Sequence, residues 1–149
     1  MKTLLKTITR SLTILALTST MAMAAAGWGD DYDKALAEAK AEKKIVLLDF
    51  TGSDWCGWCI KLDKEVFSQP EFKSYAKANL VLVEVDFPRA KALSDKVKAQ
   101  NEKLGKQFAV RGYPTIIALN SEGKQVGQLG YMPGGPAAFI AELEKLKGK

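Results

Sequence analysis

Residues 45–59 read Ile45-Val46-Leu47-Leu48-Asp49-Phe50-Thr51-Gly52-Ser53-Asp54-Trp55-Cys56-Gly57-Trp58-Cys59. The run from Ile45 to Phe50 has strand length and near-continuous hydrophobicity, the pattern of a strand buried on both faces of a central sheet. Gly52-Ser53-Asp54 reads as a turn. From Cys56 to Phe67 the spacing of Cys59, Leu62, Val66 and Phe67 is helical. A buried strand thus delivers a Cys-x-x-Cys pair to the mouth of a helix. There the unpaired backbone N–H groups and the helix dipole favour an anion on Cys56, which lowers a thiol pKa from about 8.5 toward 7 or below. Cys59, one turn deeper on the same face, is placed to attack a mixed disulfide formed by Cys56. The spacing supports two-step thiol–disulfide exchange.

Other uses of the pair have less behind them. A zinc half-site needs two further ligands, and the chain has two cysteines and no histidine. A purely structural disulfide would close a loop of only about four residues, where the entropic gain is smallest. A copper-carrying dithiol lacks the His or Met ligands near the pair that the metal favours. The missing histidine also excludes Ser-His-Asp and Cys-His nucleophiles and haem attached through Cys-x-x-Cys-His. No metal and no cofactor is expected. Trp55 and Trp58 read either as core aromatics or as exposed indoles that give a partner an apolar surface beside the thiols.

Outward from this stretch the chain alternates helix and strand. Asp30-Asp31-Tyr32-Asp33 offers N-cap groups for a first helix rich in Ala, Glu and Lys, from Ala35 to Lys44. Pro70 opens a short helix to about Asn79, and Leu80 to Asp86 is a second strand. Arg89 to about Phe108 reads as one long helix or two. Pro114 to Leu119 is a third strand, and the Ser121-Glu122-Gly123-Lys124 turn leads to a fourth, Gln125 to Tyr131. Pro133-Gly134-Gly135 breaks the chain before a closing helix, Pro136 to Leu146, with Phe139, Ile140, Leu143 and Leu146 on one face. The expected fold is α/β, a central mixed sheet flanked by helices that ends in a β-hairpin and a covering helix. In Tyr113-Pro114 the proline removes a ladder donor at a strand start, which suits an edge or a cis bond in a tight turn.

The chain of 149 residues has the length of one domain plus a targeting segment, and 47% hydrophobic with 26% charged residues excludes disorder, collagen and coiled coil. Lys2, Lys6 and Arg10 precede an acid-free apolar stretch from Leu12 to Ala26 that closes on Ala-x-Ala sites. Residues 1–24 therefore read as a secretory signal peptide, with cleavage as late as 26, and residues 25–149 as the mature domain. The stretch is short of the roughly 20 apolar residues of a membrane anchor. The formal charge of +5 invites a nucleic-acid partner. Removing those three basic residues leaves a mature charge of +2, so no nucleic-acid partner is expected.

Asp49-Phe50 before Trp55-Cys56-Gly57-Trp58-Cys59, then Val110-Arg111-Gly112-Tyr113-Pro114-Thr115, then Gly123 and Gly130, resembles thioredoxin over essentially the whole mature chain. The tract from Cys59 to Phe67 followed by Pro70 is similar to secreted bacterial thioredoxin-like proteins. It is also similar to the C-terminal domain of transmembrane disulfide reductases. The resemblance implies a thioredoxin fold, with Cys56 as the exposed nucleophile and Cys59 as the resolving thiol. Pro114 is then a cis-proline against the disulfide. Tyr113 presents backbone to a bound partner strand, and Trp55, Gly57 and Trp58 complete the substrate-facing rim. Asp49 matches a buried carboxylate that assists proton transfer at Cys59. Burial of an Asp in an apolar strand raises its pKa and suits such work; the alternative is an Asp facing a polar turn at the strand end. Asp63, four residues after Cys59, shares its helical face and matches a carboxylate of the reductase domain. It reads as a second acid or as a solvated surface residue.

The sequence departs from the thioredoxin pattern in three ways. Asp49 to Cys56 is one residue longer, the usual Gly-Pro dipeptide is Gly57-Trp58, and the lysine near the buried Asp falls on Leu82 if Asp86 sets the register. The segment from Phe87 to Lys106 is also longer, room for a partner-specific surface. The expected function is an extracytoplasmic, periplasmic thiol–disulfide oxidoreductase that reduces protein disulfides and is recharged by a thiol donor, a membrane protein. The alternatives are a disulfide oxidant and a non-catalytic binding module with a structural disulfide.

Overall fold

The computed structural model describes residues 27–147; the expected signal peptide lies outside them. Helix α1 (Tyr32–Glu42) is capped by Asp31, whose side chain accepts from the Lys34 N–H, and stops at Lys43 in the left-handed region. Strand β1 (Ile45–Thr51) follows, then α2 (Gly57–Leu62), which continues as a π-helical turn (Asp63–Phe67), and α3 (Pro70–Asn79). Strand β2 (Leu80–Asp86), α4 (Asp95–Gln107), the hairpin β3 (Thr115–Leu119) and β4 (Gln125–Leu129), and α5 (Gly135–Glu144) complete the chain. The sheet order is β2-β1-β3-β4, with β1 parallel to β2 and antiparallel to β3.

Pairing on both sides explains the continuous hydrophobicity of β1. Alternate residues feed two separate cores. On one face Leu47, Leu82, Ile116 and Ala118 pack with Leu62, Val66, Phe67, Phe72, Phe139 and Leu143 from the cysteine-bearing helix, α3 and α5. On the other, Val46, Leu48, Phe50, Val83 and Ile117 pack with Ala35, Ala39 and Leu104 from α1 and α4.

Three local differences from the sequence reading have physical causes. The expected helix from Arg89 begins only at Asp95, capped by Ser94. Pro88 fixes its own φ and lacks a backbone donor, and the N–H groups of Arg89, Ala90 and Lys91 donate to the Asp54 carboxylate instead. The helix after Cys56 widens at its end: the Ser68 N–H reaches back five residues to the Asp63 carbonyl at 2.8 Å. Helix α5 ends before Leu146, which still packs on the core at its side.

Buried Asn101 ties α4 to the sheet, its amide donating to the Asp86 carbonyl at 2.9 Å. Replacing Asn101 by Ala leaves that carbonyl unpaired, so urea unfolding should show a loss of about 1–3 kcal/mol.

Candidate active site

The Gly52 carbonyl accepts from the N–H groups of Trp55 and Cys56, closing a turn that aims Cys56 at the start of α2. The Trp55 indole lies directly over Gly52, where any Cβ would collide with it. Cys56 is the helix N-cap, in extended conformation, and its sulfur accepts from the Cys59 N–H at 3.2 Å. The two cysteines form a disulfide with Cα atoms 5.2 Å apart. Cys56 is 7% exposed and Cys59 5%. The expected contrast between an open and a sheltered thiol is therefore slight in this oxidised state, since each bonded sulfur covers the other.

Aromatic groups frame the disulfide on two sides. Trp55 donates from its indole N–H to the Phe87 carbonyl at 2.8 Å, carries the Arg89 guanidinium 4.0 Å above its ring, and meets Tyr113 edge-on at 5.9 Å. The Tyr113–Pro114 peptide bond is cis, and Tyr113 also packs on Phe87 at 5.3 Å. Across the helix, Trp58 is 58% exposed and Ile60 48%, so Trp58 is no core aromatic. Tyr131 packs on Trp58 at 4.9 Å, Lys61 lies over both rings, and the Tyr131 hydroxyl donates to Glu65 at 2.8 Å. The longer segment after Phe87 supplies one wall of this rim through Arg89.

Beneath the disulfide the first core turns polar. On that face of the sheet the apolar pair Leu47 and Leu82 gives way to Asp49 beside Glu84, then Thr51 beside Asp86. A cleft of about 280 Å³ joins Asp49 and Glu84 to Cys59, Asp63, Ser53 and Trp28. The extra residue before Cys56 does not part Asp49 from Cys59. Asp49 Oδ1 is enclosed and has no hydrogen-bond partner among the described residues. Burial first, and then the charges of Glu84, Asp63 and Asp86, push the Asp49 carboxyl up to about 8. Such a group holds its proton near neutrality and is matched to a thiol. Asp63 sits at the cleft mouth, exposed, and accepts from the Ser68 hydroxyl at 3.0 Å.

The neighbour of Asp49 is Glu84; Leu82 pairs with Leu47, one step down the strand. Burial raises the Glu84 carboxyl, with Lys91 at 3.6 Å opposing that and Asp86 adding to it. Asp86 is itself held by the Ser53 N–H and hydroxyl and by Lys91 at 3.1 Å. Sequence reasoning passed over Glu84, Trp28, Arg89 and Tyr131. Alternation along Leu80, Leu82, Glu84 and Asp86 was the signal available for the first; the other three carry no local pattern. Among the described residues, no three His, Cys, Asp or Glu side chains are grouped as a metal site, and no helix is long and apolar enough to cross a membrane.

Residues 32–147 match the family described as the thioredoxin-like domain. The disulfide bond reductase DsbH of Chlamydia pneumoniae is 38% identical over 115 residues, covering 77% of this chain and 69% of that protein. The thioredoxin-related protein DsbJ of the same organism is 33% identical over 103 residues, which are 69% of this chain and 30% of DsbJ. The thiol:disulfide interchange protein DsbD of Klebsiella pneumoniae is 35% identical over 116 residues, which are 76% of this chain but 17% of DsbD. Among solved structures, a DsbH oxidoreductase superposes with a TM-score of 0.77 at 37% identity, covering 91% of this chain and 94% of that one. The oxidised C-terminal domain of Neisseria meningitidis DsbD shares the fold at 24% identity, with a TM-score of 0.54 over 77% of this chain and 89% of that domain.

Proposed function

We propose, from the premise that this chain belongs to the thioredoxin-like domain family, that it is a thiol–disulfide oxidoreductase acting as a reductase of protein disulfides. The observation that carries the reading is the Cys56–Cys59 disulfide at the start of α2, with Cys59 opening into the cleft that holds Asp49. In the dithiol state the Cys56 thiolate attacks one sulfur of a substrate disulfide and the other leaves as a thiolate. Cys59 then gives its proton to Asp49 and attacks the Cys56 sulfur, releasing the second substrate thiolate. Two electrons pass to the substrate, and the protein is left as the disulfide. Trp55, Gly57, Trp58, Tyr113 and Pro114 form the surface on which the substrate segment lies, with Asp63 as a second acid at the cleft mouth.

Recharging requires a dithiol donor, which we place in a membrane protein, and the enzyme works outside the cytoplasm, in a bacterial periplasm, after removal of the signal peptide. The reductase direction is supported by the name of the DsbH relative. It is also supported by the dipeptide Gly57-Trp58, which brings no cation to stabilise the reduced thiolate. The redox potential of the Cys56–Cys59 couple, measured by equilibration with glutathione or dithiothreitol, tests the direction. We expect a value in the reductase range, below about −200 mV; a potential near −120 mV assigns an oxidant instead, and one below about −300 mV with no turnover assigns a structural disulfide.

A further inference from the structure

Glu84 is a half-buried carboxylate that the exchange steps above leave unused. It lies beside Asp49 on the adjacent parallel strand, on the same face of the sheet. Strands stand about 4.8 Å apart, so the two side chains are close neighbours. Glu84 lines the cleft that holds Asp49 and Cys59, and it also lines a second cleft on its outer side with Asp30, Asp86 and Lys91. Its side chain therefore borders both clefts. The other side of Asp49 meets Ile116 of β3, which brings no charge.

We propose that Glu84 is a positioning residue for proton exchange between Asp49 and Cys59, acting through the charge it places beside Asp49 in the cleft they share with Cys59. This rests on the reading of the chain as a dithiol oxidoreductase. Two carboxylates this close do not both ionise readily, so in the oxidised state, with no thiolate to take it, the pair retains one proton at neutral pH. When the donor opens the disulfide, Cys59 leaves as a thiolate and takes that proton from Asp49. When Cys59 attacks the mixed disulfide, the proton returns to Asp49. The proton is conserved over the cycle, and Glu84 keeps it on the carboxyl during the oxidised half. The charged groups facing the pair are Asp63 from the π-helical turn, Asp86 from β2, Lys91 from the segment before α4, and Asp30 at the outer cleft. Lys91 is shared with Asp86 at 3.1 Å, so its charge is not devoted to Glu84.

The test is the titration of the Asp49 side-chain carbon by 13C NMR in the oxidised full chain, where neither cysteine titrates. In Glu84→Gln, which keeps shape and removes charge, the Asp49 midpoint should fall by about one pH unit. In Glu84→Lys it should fall further. The pH dependence of mixed-disulfide resolution, followed in single turnover, should move the same way. A merely structural Glu84 would change stability and leave the Asp49 midpoint where it is. An unchanged midpoint in both variants overturns the proposal. Should the wild type fail to reduce any disulfide, the functional reading falls while the titration still reports on the pair, so the two failures are told apart.

Discussion

Replacing Cys56 by serine should reduce turnover of insulin disulfides to background, a loss of at least about three orders of magnitude. A serine hydroxyl is almost wholly protonated at neutral pH, whereas thiols at helix N-termini as a class ionise far more readily. The sulfur is also the atom that must form the mixed disulfide, so no neighbouring group substitutes for it. The companion variant, Cys59→Ser, should keep the first step and lose the second, accumulating a covalent adduct through Cys56 that mass spectrometry detects. If Cys56→Ser retains activity, Cys56 is not the nucleophile. If neither variant loses activity, the Cys-x-x-Cys pair is not the site.

Asp49→Asn should have opposite effects on stability and on chemistry. With its carboxyl pushed up to about 8, Asp49 keeps a proton in the folded protein that the unfolded chain releases near pH 3.8. The native state therefore binds more protons than the unfolded state between those values. Stability falls as pH rises through that window, by up to about 1.4 kcal/mol per unit. Below the window both states are protonated and the residue contributes nothing; above it the penalty is complete. Glu84, raised in the same direction, adds to the same slope. Urea unfolding at pH 5, 7 and 9 should show D49N gaining on the wild type at each step, because an amide does not ionise. Over the same series disulfide reduction should fall by about a hundredfold, the usual scale for losing one proton-transfer group. Parallel stability curves for variant and wild type would show that Asp49 is not held protonated by its site.

The parts of this architecture set by local chemistry are legible in the sequence. The proline start of α3 and the glycine turn of the hairpin each reflect an interaction within a few residues, and the double-sided burial of Ile45 to Phe50 shows in its own unbroken apolar run. Strand β2 and helix α3 have the bounds expected of them. Glu84 was legible only as a member of one strand face with Leu80, Leu82 and Asp86, since carboxylates at the end of an apolar strand read as groups turned to water. Its meaning depends on the register that brings it opposite Asp49. The non-helical stretch before Asp95 has the same origin: Ala, Lys and Leu there favour helix, and three hydrogen bonds to distant Asp54 override them. The cysteines were legible as a pair, and the aromatic rim around them only in part. Trp55 and Trp58 adjoin the thiols in sequence, whereas Tyr131 and Arg89 arrive through the fold.

Gly29 forms an isolated parallel bridge with Val83, exchanging hydrogen bonds with Leu82 and Glu84 on the outer side of β2. Among the described residues that side is otherwise a free sheet margin, and unpaired strand margins recruit strands from other molecules. The residues just ahead of α1 thus cover that margin at one point, and Trp28 beside them lines the Asp49 cleft. A processing cut at or before Ala26 leaves this bridge attached. A cut three residues later would remove Trp28 and Gly29, and with them the one bridge on that margin and one wall of the Asp49 cleft.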